Sequence, residues 1–225
     1  MATFRGRRLT LALKRAIDLI GALALMILTA PLLFLAMVLV WAGLGRPVIF
    51  AQERSGYGGR TFTLYKLRTM TDARDDRGCL LSEENRVCPL GLLLRRFSVD
   101  ELPQLWNVLK GDMSLIGPRP LITRYLCRYS SFQMRRHLVR PGITGWAQVS
   151  GRNALTWEQR FELDVWYVDH RSFWLDCRIL LKTIWKVVSA QDTLAPGSPT
   201  DSEFLPEHLT ATNAMDAPLS VESRI

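Results

Sequence analysis

The sequence predicts a mainly helical α+β protein with a membrane helix, and three observations support that class. Residues 19–44 form an uncharged apolar run, which is longer than the roughly 20 residues that a helix needs to cross a bilayer. Residues 47–53 and 61–68 are rich in strand formers and flank a glycine-rich turn, as in a small β-hairpin. Residues 157–188 have the basic and aromatic periodicity of an amphipathic interfacial helix.

The apolar run contains Pro31, preceded by Ala30, and a proline inside a helix removes a backbone hydrogen bond and kinks the chain. Basic residues flank the run on both sides, and basic flanks normally stay on the cytoplasmic side of a membrane. A re-entrant helix that enters the bilayer and returns keeps both flanks there, whereas a kinked spanning helix keeps only one. We predict a re-entrant helix broken at Ala30 and Pro31, with the spanning helix as the open alternative.

Charge and composition divide the chain into three parts. Residues 1–45 combine a basic N-terminus with the membrane helix, residues 46–189 form a cytosolic domain, and residues 190–225 form an acidic tail that we expect to be disordered. The formal net charge is +8, so the chain before the acidic tail is strongly basic. A basic body beside a membrane helix favours anionic lipid headgroups or phosphate ligands. Nucleic acid is not expected as a partner, because it would not explain the membrane helix.

The cysteines and histidines of this sequence give weak metal-binding and redox signals. The four cysteines form no CxxC pair, and the three histidines have no ligand spacing. These features argue against a zinc site and against a disulfide framework. Reduced, scattered thiols are typical of a cytosolic location.

The segment 98–110 predicts a helix. Ser98 and Glu101 have the spacing of a capping box, and Gly111 is a typical residue to close a helix. From this segment alone, Asp100 and Glu101 only begin a helix, where the macrodipole favours carboxylates.

The rest of the cytosolic domain gives coarser signals. Residues 121–138 are expected to be helical, and residues 117–120 and 140–145 are expected to be loops because of their proline and glycine content. Within 157–188, every fourth position carries a basic residue in the series Arg178, Lys182 and Lys186.

The residues around Asp100 and Glu101 change the interpretation of these two acids. Arg95 precedes them, Arg119 follows in a loop, and Lys66 and Arg68 lie two apart on an extended segment, so both side chains can point to one side. Arginines bind phosphates bidentately. A carboxylate pair among cations can hold a divalent metal that bridges a diphosphate, while the second carboxylate attacks phosphorus. The residues alone indicate a membrane-bound, phosphate-binding protein that could use a metal.

Four ordered segments carry a family resemblance, which covers roughly residues 11–188. They are KRAIDLIGALAL, KLRTM, LRRFSVDELPQLWNVLKGDMSLIGPRP and RPGITGWAQVSGRN. The chain resembles the monotopic phosphoglycosyl transferases of the bacterial sugar transferase family. It resembles their minimal form, without the multi-spanning N-terminal domain of larger members.

The resemblance implies a two-step transfer. Asp100 would attack the β-phosphate of a UDP-sugar, release UMP and carry a covalent phosphosugar. A polyprenyl (undecaprenyl) phosphate in the bilayer would then attack that intermediate. Glu101 would hold Mg²⁺ as the cofactor. The reaction would open the membrane stage of glycan assembly, on the cytoplasmic face of the bacterial inner membrane.

The resemblance also implies a set of basic residues that bind the substrate or its phosphates. They are Lys66, Arg68, Arg95, Arg119 and Arg140. The chain departs from the minimal members at the membrane-helix break, where they often have Ser-Pro and this chain has Ala30-Pro31. Thr29 is adjacent, and its hydroxyl can take the place of that serine by donating to the freed carbonyl.

Two other functions stay open on the residues alone. A non-catalytic, membrane-anchored adaptor would use the basic surface on anionic lipid or on an acidic partner, but it would not need Asp100 and Glu101 beside the cations. A membrane-bound phosphohydrolase would use the same carboxylates with water as the acceptor.

Overall fold

The computed structural model describes residues 4–151, 155–189 and Phe204. These residues form a mainly helical α+β fold with two small sheets and one long apolar N-terminal helix, which confirms the predicted fold class. Apart from Phe204, the predicted disordered tail lies outside the described residues.

Helix α1 (Phe4–Leu44) is the long apolar helix, and it is long and apolar enough to cross a membrane. It continues through Ala30 and Pro31, so the helix has no interruption at the predicted break. The Thr29 hydroxyl donates to the carbonyl of Leu25 at 2.7 Å. The carbonyl freed by Pro31 belongs to a different residue, four positions before the proline, so Thr29 does not satisfy it as predicted. A threonine bonded back to the preceding turn bends a helix.

Both halves of α1 contact the folded domain. In the first half, the buried Asp18 carboxylate accepts a hydrogen bond from the backbone N–H of Leu115 at 3.1 Å. In the second half, Val40 is buried in a cluster with Leu94. The opposite side of the helix is apolar and exposed over most of its length. The domain therefore contacts one side of the helix in both of its halves.

The predicted hairpin is present. Strand β1 (Ile49–Ser55) pairs antiparallel with strand β2 (Thr61–Leu67). Residues Tyr57–Gly59 form the tight connection, in which Gly58 and Gly59 have positive φ angles of 63° and 75°. L-residues with side chains rarely adopt such angles, so the glycine-rich turn was a sound local signal.

The predicted helix at 98–110 is two shorter elements. After α2 (Glu83–Arg86) and α3 (Pro89–Arg96), a 3₁₀ turn covers Val99–Glu101 and α4 covers Gln104–Lys110. The capping-box prediction was wrong, because Ser98 has a left-handed φ of 55° and makes no side-chain cap bond. The predicted helix end was right, since Gly111 follows α4 with φ 101°.

A second, parallel sheet was missed from the sequence. Strand β3 (Ser114–Ile116) pairs with strand β4 (Gly142–Thr144), in a segment that was predicted to be a loop. The pairing needs a very close backbone approach, because a Cβ on Gly142 would lie 2.0 Å from the nitrogen of Gly117. This approach places the loop after β3 beside the segment that begins at Arg140.

The remaining helices are shorter than predicted. Residues 121–138 form two 3₁₀ turns (Thr123–Arg128 and Arg135–Leu138) around α5 (Ser131–Met134). Helix α6 (Trp146–Ser150) comes next. The stretch 157–188 is then divided into two helices, α7 (Trp157–His170) and α8 (Phe173–Ser189).

Helix α8 has the predicted amphipathic surface. Arg178 and Lys182 lie over the ring of Trp146 at 5.8 and 5.0 Å from its centroid, and Trp174 and Trp185 are mostly exposed. Exposed tryptophans beside basic residues are typical of helices at a membrane interface.

Candidate active site

The site centres on one carboxylate oxygen. Lys66 Nζ and Arg119 Nη2 each lie 2.7 Å from Glu101 Oε1. Lys66 comes from β2, Glu101 from the 3₁₀ turn after α3, and Arg119 from the loop after β3. The structure therefore brings together three of the residues that were predicted for the site. Neither cation donates to Glu101 Oε2.

A buried asparagine fixes strand β2 against helix α4. The Asn107 side-chain amide donates to the Thr63 carbonyl at 2.7 Å, and its oxygen accepts from the Tyr65 N–H at 3.2 Å. Because Tyr65 directly precedes Lys66, this contact sets the position of the lysine relative to the acidic turn. The left-handed Ser98 contributes from the other side, since it turns the chain out of α3 and leaves Glu101 free to bind cations.

Asp100 lies in the same turn in a different environment. It is buried, and within residues 4–151 and 155–189 no donor forms a hydrogen bond or ion pair with its carboxylate. Burial raises the pKa of Asp100, an effect that the nearby charge of Lys66 opposes and that of Glu101 reinforces, while Arg119 and Arg95 oppose it. The two adjacent acids thus differ in their partners, because Glu101 is bonded to two cations and Asp100 to none of the described residues.

Glu101 is held in its ionised form. Burial alone would raise its pKa, but the charges and hydrogen bonds of Arg119 and Lys66 hold the pKa well below its usual range. The same pairing raises the pKa of Arg119. Glu101 and Arg119 are therefore both charged at physiological pH.

Arg95 stands at the edge of this cluster. Its Nε donates to the Thr69 hydroxyl at 3.0 Å, and its charge acts on Asp100. Sequence reasoning missed Arg54, which lies near Arg119 and Glu101. Burial, followed by repulsion from Arg119, lowers the pKa of Arg54 to about 10. No sequence signal identified Arg54, because it is one basic residue in an otherwise ordinary strand.

The other two predicted cations, Arg68 and Arg140, are engaged elsewhere. Arg68 pairs with Asp72 at 2.6 Å and donates to the carbonyl of Leu44 at the end of α1. Arg140 donates to the carbonyl of Gly111 at 2.9 Å, beyond the end of α4. The expectation that Lys66 and Arg68 point to one side is not met, because β2 ends at Leu67 and the strand alternation stops there.

A buried ion pair supports the Arg119 loop from behind, and sequence reasoning missed it. Arg136 Nη2 donates to the Arg119 carbonyl at 2.7 Å and to Asp164 Oδ2 at 2.7 Å. The Arg136 and Asp164 side chains are almost fully buried. A basic residue within an RRH sequence gives no indication that it will be buried.

The acidic residues fit a magnesium ion that is shared with a substrate. In the part of the chain that the structure describes, no group of three or more His, Cys, Asp or Glu residues could hold a metal. Mg²⁺ is commonly bound by one or two carboxylates together with substrate phosphates and water. Glu101 Oε2 and the Asp100 carboxylate offer such a set, so the residues suit an ion that enters with a diphosphate.

Comparisons with known proteins find relatives among sugar transferases. The profile described as bacterial sugar transferase matches residues 9–190. The chain is 54% identical over 179 residues to an uncharacterized sugar transferase, EpsL, of Bacillus subtilis, covering 80% of this chain and 89% of that protein.

Two relatives have more specific names. The chain is 41% identical over 193 residues to the UDP-galactose-lipid carrier transferase of Erwinia amylovora, covering 78% of this chain and 40% of that protein. It is also 41% identical over 181 residues to the UDP-glucose:undecaprenyl-phosphate glucose-1-phosphate transferase of Caulobacter vibrioides, covering 76% of this chain and 68% of that protein. The chain thus spans less than half of the Erwinia relative and about two thirds of the Caulobacter one.

Proposed function

The chain belongs to the bacterial sugar transferase family, and from that premise we propose that it transfers a sugar 1-phosphate from a UDP-sugar to undecaprenyl phosphate. The printed names of the Erwinia and Caulobacter relatives support this reaction class. The observation that carries the proposal is the pair of adjacent carboxylates, in which Glu101 binds two cations and the Asp100 carboxylate accepts no hydrogen bond from any described residue.

Asp100 is the nucleophile in this proposal. One of its oxygens forms a bond to the β-phosphorus of the UDP-sugar, and the bond from that phosphorus to the bridging oxygen breaks, so UMP leaves. An oxygen of undecaprenyl phosphate then attacks the same phosphorus and displaces the aspartate. Two successive displacements suit two substrates of unlike polarity, because UMP has left and only the phosphosugar remains on Asp100 before the lipid reacts.

The cations stabilise charge that develops on the phosphate oxygens. Lys66 and Arg119 are already fixed by Glu101 at 2.7 Å, so little reorganisation is needed when the diphosphate arrives. Glu101 Oε2 and Asp100 would hold Mg²⁺, which supplies further neutralisation of the diphosphate when it is bound.

The membrane geometry that we propose is re-entrant, with α1 entering the bilayer and returning through a bend at Pro31 rather than through a gap in the helix. Contacts to the folded domain occur near both ends of the apolar run 19–44, at Asp18 and at Val40. A helix that crossed the bilayer would carry one of these ends to the opposite side, away from the domain. The exposed apolar side of α1 and the exposed tryptophans of α8 then face lipid, with the site on the cytoplasmic face of the inner membrane.

Cysteine labelling tests that geometry. In a variant without the four native cysteines, a cysteine at position 5 reacts with an impermeant reagent only after the cells are opened. A cysteine at position 79, where the native residue is exposed, serves as the marker for the side of the folded domain. Labelling of position 5 in intact cells would establish the spanning helix instead.

A UMP-release assay tests the reaction. Purified protein with undecaprenyl phosphate and Mg²⁺ is offered a panel of UDP-sugars, and Asp100→Asn is compared with Asp169→Asn, which changes an exposed aspartate. We expect release of UMP from at least one UDP-sugar, loss of release with Asp100→Asn, and normal release with Asp169→Asn. A phosphohydrolase would turn over equally without undecaprenyl phosphate, and an adaptor would release nothing.

A further inference from the structure

Phe204 lies in the acidic C-terminal segment, but it is not a solvated residue. Its exposed fraction is 2%, and it belongs to a buried cluster with Leu121, Tyr125 and Phe161. Four aromatic rings lie within 6.0 Å of its ring centroid, and they belong to Tyr125, Tyr129, Trp157 and Phe161. A phenyl group enclosed in this way contributes both buried area and ring-to-ring contacts.

The backbone of Phe204 is bonded as well as its ring. Its N–H donates to the Tyr125 hydroxyl at 3.2 Å, and its carbonyl accepts from Arg128 Nη1 at 2.7 Å. The backbone N–H and carbonyl of Phe204 are therefore both satisfied, as burial of the residue requires. Composition alone predicts a disordered tail here, whereas Phe204 is buried.

The aromatic cluster touches the group that supports the active-site loop. Tyr129 and Phe161 contact Phe204, and the same two rings lie 5.8 and 5.6 Å from the guanidinium carbon of Arg136. Arg136 donates to the carbonyl of Arg119 at 2.7 Å. From Phe204 to Arg119 the chain of contacts is thus continuous and short.

We propose that Phe204 is a positioning residue for Arg119, and that burial of its ring in the aromatic cluster completes the active site. Without the phenyl group, Tyr129 and Phe161 border a cavity and can rotate into it. Arg136 then loses part of the aromatic surface that holds its guanidinium, and the Arg119 backbone loses a fixed donor. The Arg119 side chain therefore spends less time in the position from which it binds Glu101 and the substrate phosphates.

The first test is independent of catalysis. Hydrogen–deuterium exchange on the full chain compares the wild type with Phe204→Ala and with Phe204→Leu, which keeps an apolar side chain of similar size. We expect Phe204→Ala to raise exchange at residue 204 and in residues 117–138 by at least about tenfold, because the buried amide becomes open to water. Phe204→Leu should exchange nearly as the wild type does. Equal exchange in all three proteins would overturn the docking itself.

The second test rests on the proposed function and separates positioning from stability. Phe204→Ala should raise the KM for the UDP-sugar by roughly tenfold through misplacement of Arg119, while Phe204→Leu restores it to within threefold or so. Phe132→Ala, which removes an exposed phenyl group, should leave KM unchanged. A fall in kcat at unchanged KM, in proportion to the folded fraction, would reduce Phe204 to a stabilising residue and overturn the proposal.

Failure of the proposal and failure of the proposed function are distinguishable. If the wild type releases no UMP from any UDP-sugar, the reaction assignment fails, and the exchange experiment still decides whether Phe204 is docked. If the wild type is active and Phe204→Ala shows the same hydrogen exchange and the same KM as the wild type, the reaction assignment stands and the positioning role is refuted.

Discussion

Replacing Glu101 with glutamine tests whether its carboxylate holds the active site together. The amide keeps an oxygen that can accept hydrogen bonds, but it removes the negative charge between Lys66 and Arg119. Breaking a buried ion pair costs about 3–5 kcal/mol, whereas an exposed pair contributes about 0–1 kcal/mol. The side chains of Glu101, Lys66 and Arg119 are 16%, 20% and 38% exposed, which places the expected loss between these limits, at about 2–3 kcal/mol.

This loss is measurable as a change in melting temperature. For a chain of this length, each kcal/mol shifts Tm by about 2–4 °C, so Glu101→Gln should melt roughly 4–12 °C lower in the same detergent. The difference should shrink as the pH falls below 4.5, the ordinary pKa of a glutamate. The ionised form stabilises the fold above that pH, and its contribution is lost as Glu101 becomes protonated.

The matched control is Glu53→Gln, which changes an exposed glutamate on the neighbouring strand β1. A surface change of this kind should alter the free energy of unfolding by less than about 0.5 kcal/mol. If Glu101→Gln melts within the range of this control, the two 2.7 Å contacts do not hold the turn, the strand and the loop together.

Three further predictions concern groups around the same site. Burial, followed by the charge of Arg136, lowers the pKa of His137 to about 4, although the Gly56 carbonyl opposes the shift. As the pH falls, His137 is therefore protonated in the unfolded chain before it is protonated in the folded one. The free energy of unfolding should therefore fall by at most about 3 kcal/mol between pH 6.5 and 4. Denaturant titrations of His137→Asn should not show this decrease, and identical pH profiles for the wild type and the variant would contradict the prediction. Asp164→Asn should destabilise the fold by about 3–5 kcal/mol, because it leaves Arg136 buried without its counter-charge, and a loss as small as that of Asp169→Asn would refute the role of the pair. Lys66→Met should raise the pKa of Asp100 and move the acid limb of UMP release to higher pH, and an unmoved limb would show that Lys66 does not act on Asp100.

Local signals predicted the parts of the fold that depend on a few neighbouring residues. The hairpin followed from strand formers around a glycine-rich turn, and the end of α4 followed from Gly111, because such positions need φ angles that glycine tolerates. The capping box at Ser98 failed for a related reason. The chain turns there in a left-handed conformation, and tertiary contacts of Glu101 with two cations outweigh a local hydrogen bond.

Elements that depend on distant partners were not predictable from the sequence. Strand β4 has three residues and exists only because β3 lies beside it. Arg136 and Asp164 form a buried pair across 28 positions, and neither residue carries a local mark of burial. Phe204 stands in a polar, acidic segment, where composition predicts disorder.

The site was predictable in part. The cluster of Lys66, Glu101 and Arg119 was expected from a resemblance that spans several motifs, and its geometry agrees. Arg68 was assigned to the same face by strand alternation, but it lies one residue beyond the strand and binds Asp72. A residue at the edge of an element cannot be assigned to a face until the end of that element is known.

The most direct test of the account is mass spectrometry of the protein after exposure to a UDP-sugar and Mg²⁺ without undecaprenyl phosphate. A rapid acid quench and peptide mapping should locate a phosphosugar on Asp100, and the modification should disappear when undecaprenyl phosphate is added before the quench. Asp100→Asn should carry no adduct. Full turnover without any adduct, or an adduct on Glu101 instead, would contradict the assignment of Asp100 as the nucleophile.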